Sequence, residues 1–328
     1  MIKTHCLGLS VAACLAAADA YAETSPPAGA ATPAAVTTRS FASRVLSDRL
    51  SVEGYLGYLS GESKELVYFG GQKQSQLDWT IESAAVVGGR LDYAATGWLT
   101  IGVGGWTSLA GDVSMVDYDW LWRDSGYEGW TDRSRHPNTS LERAFEFDLA
   151  AAARVAEWNG VWVNGLLGYQ VRNFKFQASD GDYLYSTFKL HDTEGRFQGP
   201  MVDYQQWWRT PYVGVAAGYA MPRWRLSGKV IASPFAQVSD ADLHIENQQL
   251  FTGDFGDTQM AAVTLRAEHD LTESLMLTAM ANYQRFWEAR GDLTAINVAF
   301  PEFRSEIPDG AGASNETLIL SLGLAYRF

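Results

Sequence analysis

The chain closes on Leu318-Ile319-Leu320-Ser321-Leu322-Gly323-Leu324-Ala325-Tyr326-Arg327-Phe328, and its alternation decides the fold. In an extended strand, Leu318, Leu320, Leu322, Leu324 and Tyr326 share one face, while Ile319, Ser321, Gly323, Ala325 and Arg327 share the other. One row is large and apolar and the other is mostly small or polar, as for a strand with lipid outside and a polar lumen inside. The pattern recurs upstream. Val213, Val215, Ala217 and Tyr219 alternate with glycines and Ala216. After the tight Met221-Pro222-Arg223 turn, Trp224, Leu226 and Val230 alternate with Arg225, Ser227 and Lys229. Phe145, Phe147 and Leu149 alternate with Glu146 and Asp148, and similar runs cover 161–171 and 275–284. A soluble β-sandwich alternates too, so periodicity alone leaves both architectures open.

The N-terminus separates them. Lys3 precedes an apolar stretch from Leu7 to Ala18, and Ala20-Tyr21-Ala22 offers a small-x-small cleavage site, which predicts a secretory signal peptide over 1–22. Val11-Ala12-Ala13-Cys14 is a minor alternative as a lipidation box, its apolar run being short. Residues 23–44 are rich in Pro, Ala and Thr and read as a flexible leader. Both cysteines, Cys6 and Cys14, fall in the signal segment, so the mature chain is expected to carry no disulfide, thiol nucleophile or thiolate metal site. No internal run reaches the ~20 apolar residues of a membrane helix. Aromatics at 13% suit interfacial girdles, and a net charge of −13 argues against nucleic acid and for cationic partners. Export, a terminal Phe and scarce helical periodicity together predict an all-β antiparallel transmembrane barrel over 45–328.

Short turns at 221–223 and 269–274 contrast with long polar segments near 70–76, 110–142, 178–208, 239–258 and 289–314. Read as long outer connections between short periplasmic ones, they predict ten strands. One parity conflict appears. Trp224, Leu226 and Val230 face lipid on even positions, yet Asp240, Asp242 and His244 are also even and should face inward. Pro234 cannot donate to a ladder, so a bulge is predicted near Ser233–Val238.

Two acidic stretches carry candidate chemistry. In Met115-Val116-Asp117-Tyr118-Asp119-Trp120, two carboxylates share a strand face. Asp240-Ala241-Asp242-Leu243-His244 repeats that period and adds an imidazole. Taken alone they read either as a proton-transfer site or as solvated loop charges. A divalent metal is a rival, but His136, His191 and His269 have no ligand-like spacing to His244, and no metal is expected.

Read in order, several stretches resemble the omptins, outer-membrane endopeptidases of Gram-negative bacteria. They are Ser75-Gln76-Leu77-Asp78-Trp79, Met115 to Trp120, Trp130-Thr131-Asp132-Arg133-Ser134-Arg135-His136-Pro137, Glu146-Phe147-Asp148-Leu149 and Asp240-x-Asp242-x-His244. The resemblance runs from about Glu53 to Phe328. It implies a ten-stranded barrel that extends above the outer membrane, with a groove across its extracellular top. It implies Asp117 and Asp119 on one wall and Asp242 and His244 on the other as the catalytic set. Glu65 and Asp240 would line the pocket for a basic side chain before the scissile bond, and Asp132 would favour one after it. His136 matches a family feature and reads as structural.

That set makes chemical sense. Amide hydrolysis needs an activated water, and an imidazole with an ordinary pKa near ~6.5 can take its proton if a carboxylate stabilises the charged form. Close carboxylates can share a proton and so supply a general acid. The expected activity is cleavage of cationic peptides at basic or dibasic sites, without a cofactor. Lipopolysaccharide activation, which the resemblance also implies, is put in question: Asn173, Trp207 and Gly256 stand where the family has basic residues. Arg172 is displaced by one position, and Arg209 could compensate. Outer-membrane lipid remains an expected partner. The alternative function is a protease-dead adhesin built on the same loops.

Overall fold

Backbone N–H and C=O groups in hydrocarbon have no water to bond, so a sheet that crosses a bilayer must close on itself. This one does. The structure, a computed structural model, describes residues 49–122 and 126–328; the expected signal peptide (1–22) and leader (23–44) lie outside them. Its strands are β1 (Leu50–Phe69), β2 (Gln72–Ala94), β3 (Leu99–Asp119), β4 (Asp132–Trp158), β5 (Val161–Tyr185), β6 (Thr193–Ala220), β7 (Trp224–His244), β8 (Gln249–Phe255), β9 (Thr258–Asp270), β10 (Leu275–Asn297) and β11 (Arg304–Arg327). Each is antiparallel to its neighbours, and β1 pairs with β11 from Ser51–Arg327 to Val67–Ala311, which closes the ring. Both β8 and β9 lie between β7 and β10. They are one stave interrupted at Gly256-Asp257, so the eleven segments make the ten staves expected.

The terminal strand behaves as its alternation requires. Leu318, Leu320, Leu322, Leu324 and Tyr326 are exposed on the outer face, whereas Ile319, Ser321 and Ala325 are buried. Outer rows on the other staves (Phe147 and Leu149, Val213 and Val215, Leu226 and Val230) extend the apolar belt. Charges of the opposite parity point inward and pair. Arg225 meets Glu268 and Asp270 at 2.7 Å, Arg266 meets Glu53 at 2.9 Å, and the fully buried Arg172 meets Glu146 at 2.5 Å.

The five long polar segments are corrected by the structure: they are mainly strand. The connections at that end shrink, among the described residues, to a two-residue turn at Gly70-Gly71 and to loops at 120–122 with 126–131, 186–192, 245–248 and 298–303. A tilted strand needs only ~9–11 residues to cross hydrocarbon, yet β4 has 27 and β6 has 28. The surplus projects beyond the membrane, where water on the outer face removes the demand for an apolar row. Polar composition there signalled solvent and not loop.

Register switches separate the two zones. Along β7, Ile231 and Ser233 are buried and then Ala236 and Val238, so the inward parity changes at Pro234-Phe235. The ladders record it: Arg209–Gln237 is followed by Val213–Ala232, and Ser233–Met260 by Ala236–Thr258, each placing one extra residue on β7. This is the bulge predicted from Pro234. It turns Asp240, Asp242 and His244 inward. A bulge at Leu109 does the same for β3, where Trp106 faces in below it and Val113 and Met115 above.

Above the belt, an apolar cluster around Trp79, Phe174, Phe176 and Tyr204 fills the barrel, with Trp79 stacked 5.3 Å from both Phe176 and Tyr204. A second cluster holds Trp208 on Phe286 at 4.3 Å. A charge on the lipid face cannot pair as the lumen arginines do. Leu322→Arg is therefore expected to destabilise the barrel in bilayers by about 2–4 kcal/mol, read from denaturant unfolding; a loss below about 1 kcal/mol would contradict the outward assignment of this row.

Candidate active site

Five inward-facing strand ends bring the acidic motifs together. β3 delivers Asp117 and Asp119 past the Leu109 bulge, and β7, four staves further round, delivers Asp240, Asp242 and His244 past the Pro234 bulge. β1 contributes the buried Glu65, β2 contributes Ser75, and β4 begins at the buried Asp132. All seven residues singled out in the sequence therefore face the same interior end.

On the β7 wall, His244 Nε2 lies 2.8 Å from Asp242 Oδ2, and the edge of the ring is fixed by Phe251 at 5.3 Å. Burial alone would disfavour the imidazolium. The Asp242 hydrogen bond and the charges of Asp242, Asp117 and Asp119 outweigh it and raise the His244 pKa. On the β3 wall, the Ser75 hydroxyl donates to Asp117 Oδ1 at 3.0 Å. Burial and then the charge of Asp119 push Asp117 well above the carboxylate range, opposed by Ser75 and His244. Asp119 is raised to about 6 by burial, with Ser75 and His244 opposing. The mutual influence of His244 and both aspartates places the walls within electrostatic reach of each other.

Glu65 sits between them. Burial, then Asp242, Asp240 and Asp117, raise it well above its ordinary value. Its Oε2 and Asp242 Oδ1 are both buried without a donor among the described residues, a deficit that one proton held between the two carboxyls removes. Asp240 is raised to about 7 by burial, although it accepts the Gly253 N–H at 2.9 Å. A hydrogen-bonded ladder supports it from below: Trp208 Nε1 donates to Gln206 (3.1 Å), Gln206 to the Tyr204 hydroxyl (2.7 Å), and Tyr204 to Asp240 (3.4 Å).

Asp132 is the most committed of the seven. It stands opposite Asp119 in the β3–β4 ladder, and its oxygens accept the Thr131 hydroxyl (2.7 Å) and the Ser186 N–H (3.1 Å). It thereby ties the 186–192 loop to the first turn of β4. His136 has both ring nitrogens engaged: its Nδ1–H donates to the Asp180 carbonyl at 2.5 Å, so Nε2 accepts from the Ser134 hydroxyl at 3.0 Å. Among the described residues no cluster of His, Asp and Glu side chains has the arrangement to hold a metal ion.

Reading the sequence alone passed over Ser75, Tyr185 and Tyr204. Ser75 lay inside a quoted motif, and its parity with Leu77 and Trp79 was the available signal. Tyr185 and Tyr204 enter through cross-strand register, which the sequence does not print. On the exterior, Arg172 drops out as a displaced basic residue because it is fully buried in the lumen. Arg209 does stand outside, 5.9 Å from the Trp207 ring.

Comparison with known proteins gives a consistent result. The family model described as "Omptin family" matches residues 46–328. Outer membrane protease OmpP of Escherichia coli is 32% identical over 289 residues, 86% of this chain and 91% of its own length. The plasminogen activator of Yersinia pestis is 29% identical over 290 residues, 86% of this chain and 90% of its own. The crystal structure of outer membrane protease OmpT from Escherichia coli superposes with a TM-score of 0.82 at 30% identity, covering 86% of this chain and 97% of that one.

The Ser75 bond has a measurable consequence. A hydrogen bond to a charged group contributes about 1.5–3 kcal/mol, and Ser75 favours the ionised forms of Asp117 and Asp119. Ser75→Ala should therefore let the pair keep its proton to higher pH, seen as an upward move of the carboxyl band in an infrared titration. An unchanged titration would show that Ser75 does not hold the pair.

Proposed function

The chain belongs to the omptin family and is an outer-membrane protease; from that premise we propose that it hydrolyses peptide bonds beside basic residues with a water activated between Asp117/Asp119 and the Asp242–His244 pair. The observation that carries this reading is the Asp242–His244 contact of 2.8 Å, buried within the electrostatic field of Asp117 and Asp119.

His244, in its neutral form, accepts a proton from the water as the oxygen attacks the scissile carbonyl, and Asp242 stabilises the imidazolium that forms. Asp117 and Asp119 orient the water from the opposite wall. Because the two are desolvated and stand close, their hold on a proton is raised, which makes them a reservoir for the departing amine. Neither a serine nor a cysteine nucleophile is needed.

Specificity follows from charge. Glu65 and Asp240 are carboxyls whose proton affinity is raised by burial and then by Asp242, and a guanidinium entering between them replaces protons with charge-assisted hydrogen bonds. A cationic peptide is the substrate that removes the cost of crowding these acids. Asp132 favours a second basic residue beyond the bond through its field, although its oxygens already serve the loop. The net charge of −13 draws such peptides in, more strongly at low salt. Arg209 and Arg143, both against the Trp207 ring, are exterior cations available to membrane lipid, where Asn173 and Trp207 offer none.

Asp117→Ala and His244→Ala are each expected to abolish hydrolysis of a dibasic fluorogenic peptide while the barrel still folds; turnover in either would remove the mechanism. Running the wild type with and without lipopolysaccharide reads whether the lipid is an activator, and equal rates would exclude that role. The pH dependence has a definite sign. Asp240 has its pKa raised to about 7 and His244 is raised as well, so both reach their working forms, carboxylate and neutral imidazole, only as pH climbs. Hence kcat/KM, which reports the free enzyme, should rise across about pH 6–8; a profile already flat at pH 5.5 would contradict the assignment.

A further inference from the structure

An anionic tetrahedral intermediate in this cleft meets an unusual environment. No arginine or lysine is among the groups that dominate the electrostatics of Glu65, Asp117, Asp119, Asp240 or His244. The walls are carboxyls, and the single base is occupied with the proton of the water. Developing negative charge on the carbonyl oxygen needs a hydrogen-bond donor fixed in advance, and in the proposed machinery the proton held by the Asp117/Asp119 pair is already committed to the departing amine.

Cross-strand register does. Ser75 faces Asp119, and Asp119 faces Asp132. One step beyond the β4–β5 pair Arg133–Leu184, the neighbour of Asp132 is Tyr185. The four side chains form one inward row across β2 to β5. The Tyr185 ring is fixed by stacking on Tyr183 at 4.5 Å, so the phenol has few rotamers left to lose. Its hydroxyl makes no hydrogen bond among the described residues, and the charges acting on it are, in order, Asp117, Asp119 and Asp132. Burial and these three acids keep the phenol protonated, as a neutral O–H donor. Every other donor of the row is engaged: Ser75 with Asp117, and Thr131 and the Ser186 amide with Asp132.

We propose that Tyr185 is a catalytic residue, its hydroxyl donating to the oxyanion of the tetrahedral intermediate. This rests on the water-activation reading above and adds the group that reading lacks. The water oxygen bonds the carbonyl carbon, its proton passes to His244, and the C=O π pair moves onto the oxygen, which accepts the Tyr185 hydrogen bond. Collapse restores the C=O bond as the C–N bond breaks, and the amine nitrogen takes a proton from the enzyme. Tyr185 keeps its own proton throughout. The donor acts on charge that exists only at the transition state, so its loss should fall on kcat and not on substrate binding.

Tyr185→Phe removes one oxygen and keeps the stack. On a dibasic fluorogenic peptide, kcat is expected to fall about 10²–10³-fold, the range for loss of one oxyanion donor, with KM nearly unchanged. A phosphinic peptide, which carries a tetrahedral anion in place of the scissile amide, should lose affinity by a comparable factor. Full kcat and full phosphinate affinity in Tyr185→Phe, with Asp117→Ala dead, would overturn the oxyanion role and leave the hydrolytic reading standing. A raised KM with unchanged kcat would likewise overturn it, by making Tyr185 a binding residue. Turnover in Asp117→Ala would instead bring down the underlying mechanism.

Discussion

Pairing of β1 with β11 is the contact on which everything else rests. In hydrocarbon an unpaired strand edge costs several kcal/mol for each unsatisfied group, so the ring either closes along its length or does not insert. Closure also fixes which side chains are inside. Once Ile319 and Ser321 are committed to the lumen, each neighbouring stave inherits its parity through the ladder. The walls on β3 and β7 are downstream of a pairing in which Glu65, opposite Ala313, is the site residue that takes part.

Bulges then let one continuous strand serve two environments. A period-two alternation cannot place both Leu226 in lipid and Asp242 in a cleft without an odd insertion, and Pro234-Phe235 supplies it, with the Phe235 N–H captured by the Ser233 hydroxyl at 3.0 Å. The Pro234 bulge was legible because a proline coincided with a parity conflict. The Leu109 bulge, in Thr107-Ser108-Leu109-Ala110, carries no such residue and was not. The membrane-embedded half announced itself through alternating leucines and aromatics. The half above it, wet on its outer face, resembled loop because there the sequence need satisfy only the interior row.

The same asymmetry explains which parts of the cleft could be read. Asp117, Asp119, Asp242 and His244 stand two apart on single strands, so local periodicity pairs them. Ser75, Asp119, Asp132 and Tyr185 form a row that runs across strands, joining residues from 75 to 185, and only register reveals it. Motif reading finds what lies along a strand; rows across strands need the fold. In energetic terms the cleft is a set of mutually repelling, desolvated acids held in place by the sheet, and relief of that stored repulsion is what motivates the cationic substrate proposed above.

The aromatic floor beneath the acids has a consequence for the membrane itself. Closed strand cylinders with a larger circumference conduct water and solutes, and a polar lumen lined by Arg225, Arg266 and Glu268 would invite the same here. Above that lumen the way is filled by the Trp208–Phe286 stack and then by Trp79 between Phe176 and Tyr204. The packing that steadies Asp240 thus also stands across the path from the polar lumen to the cleft.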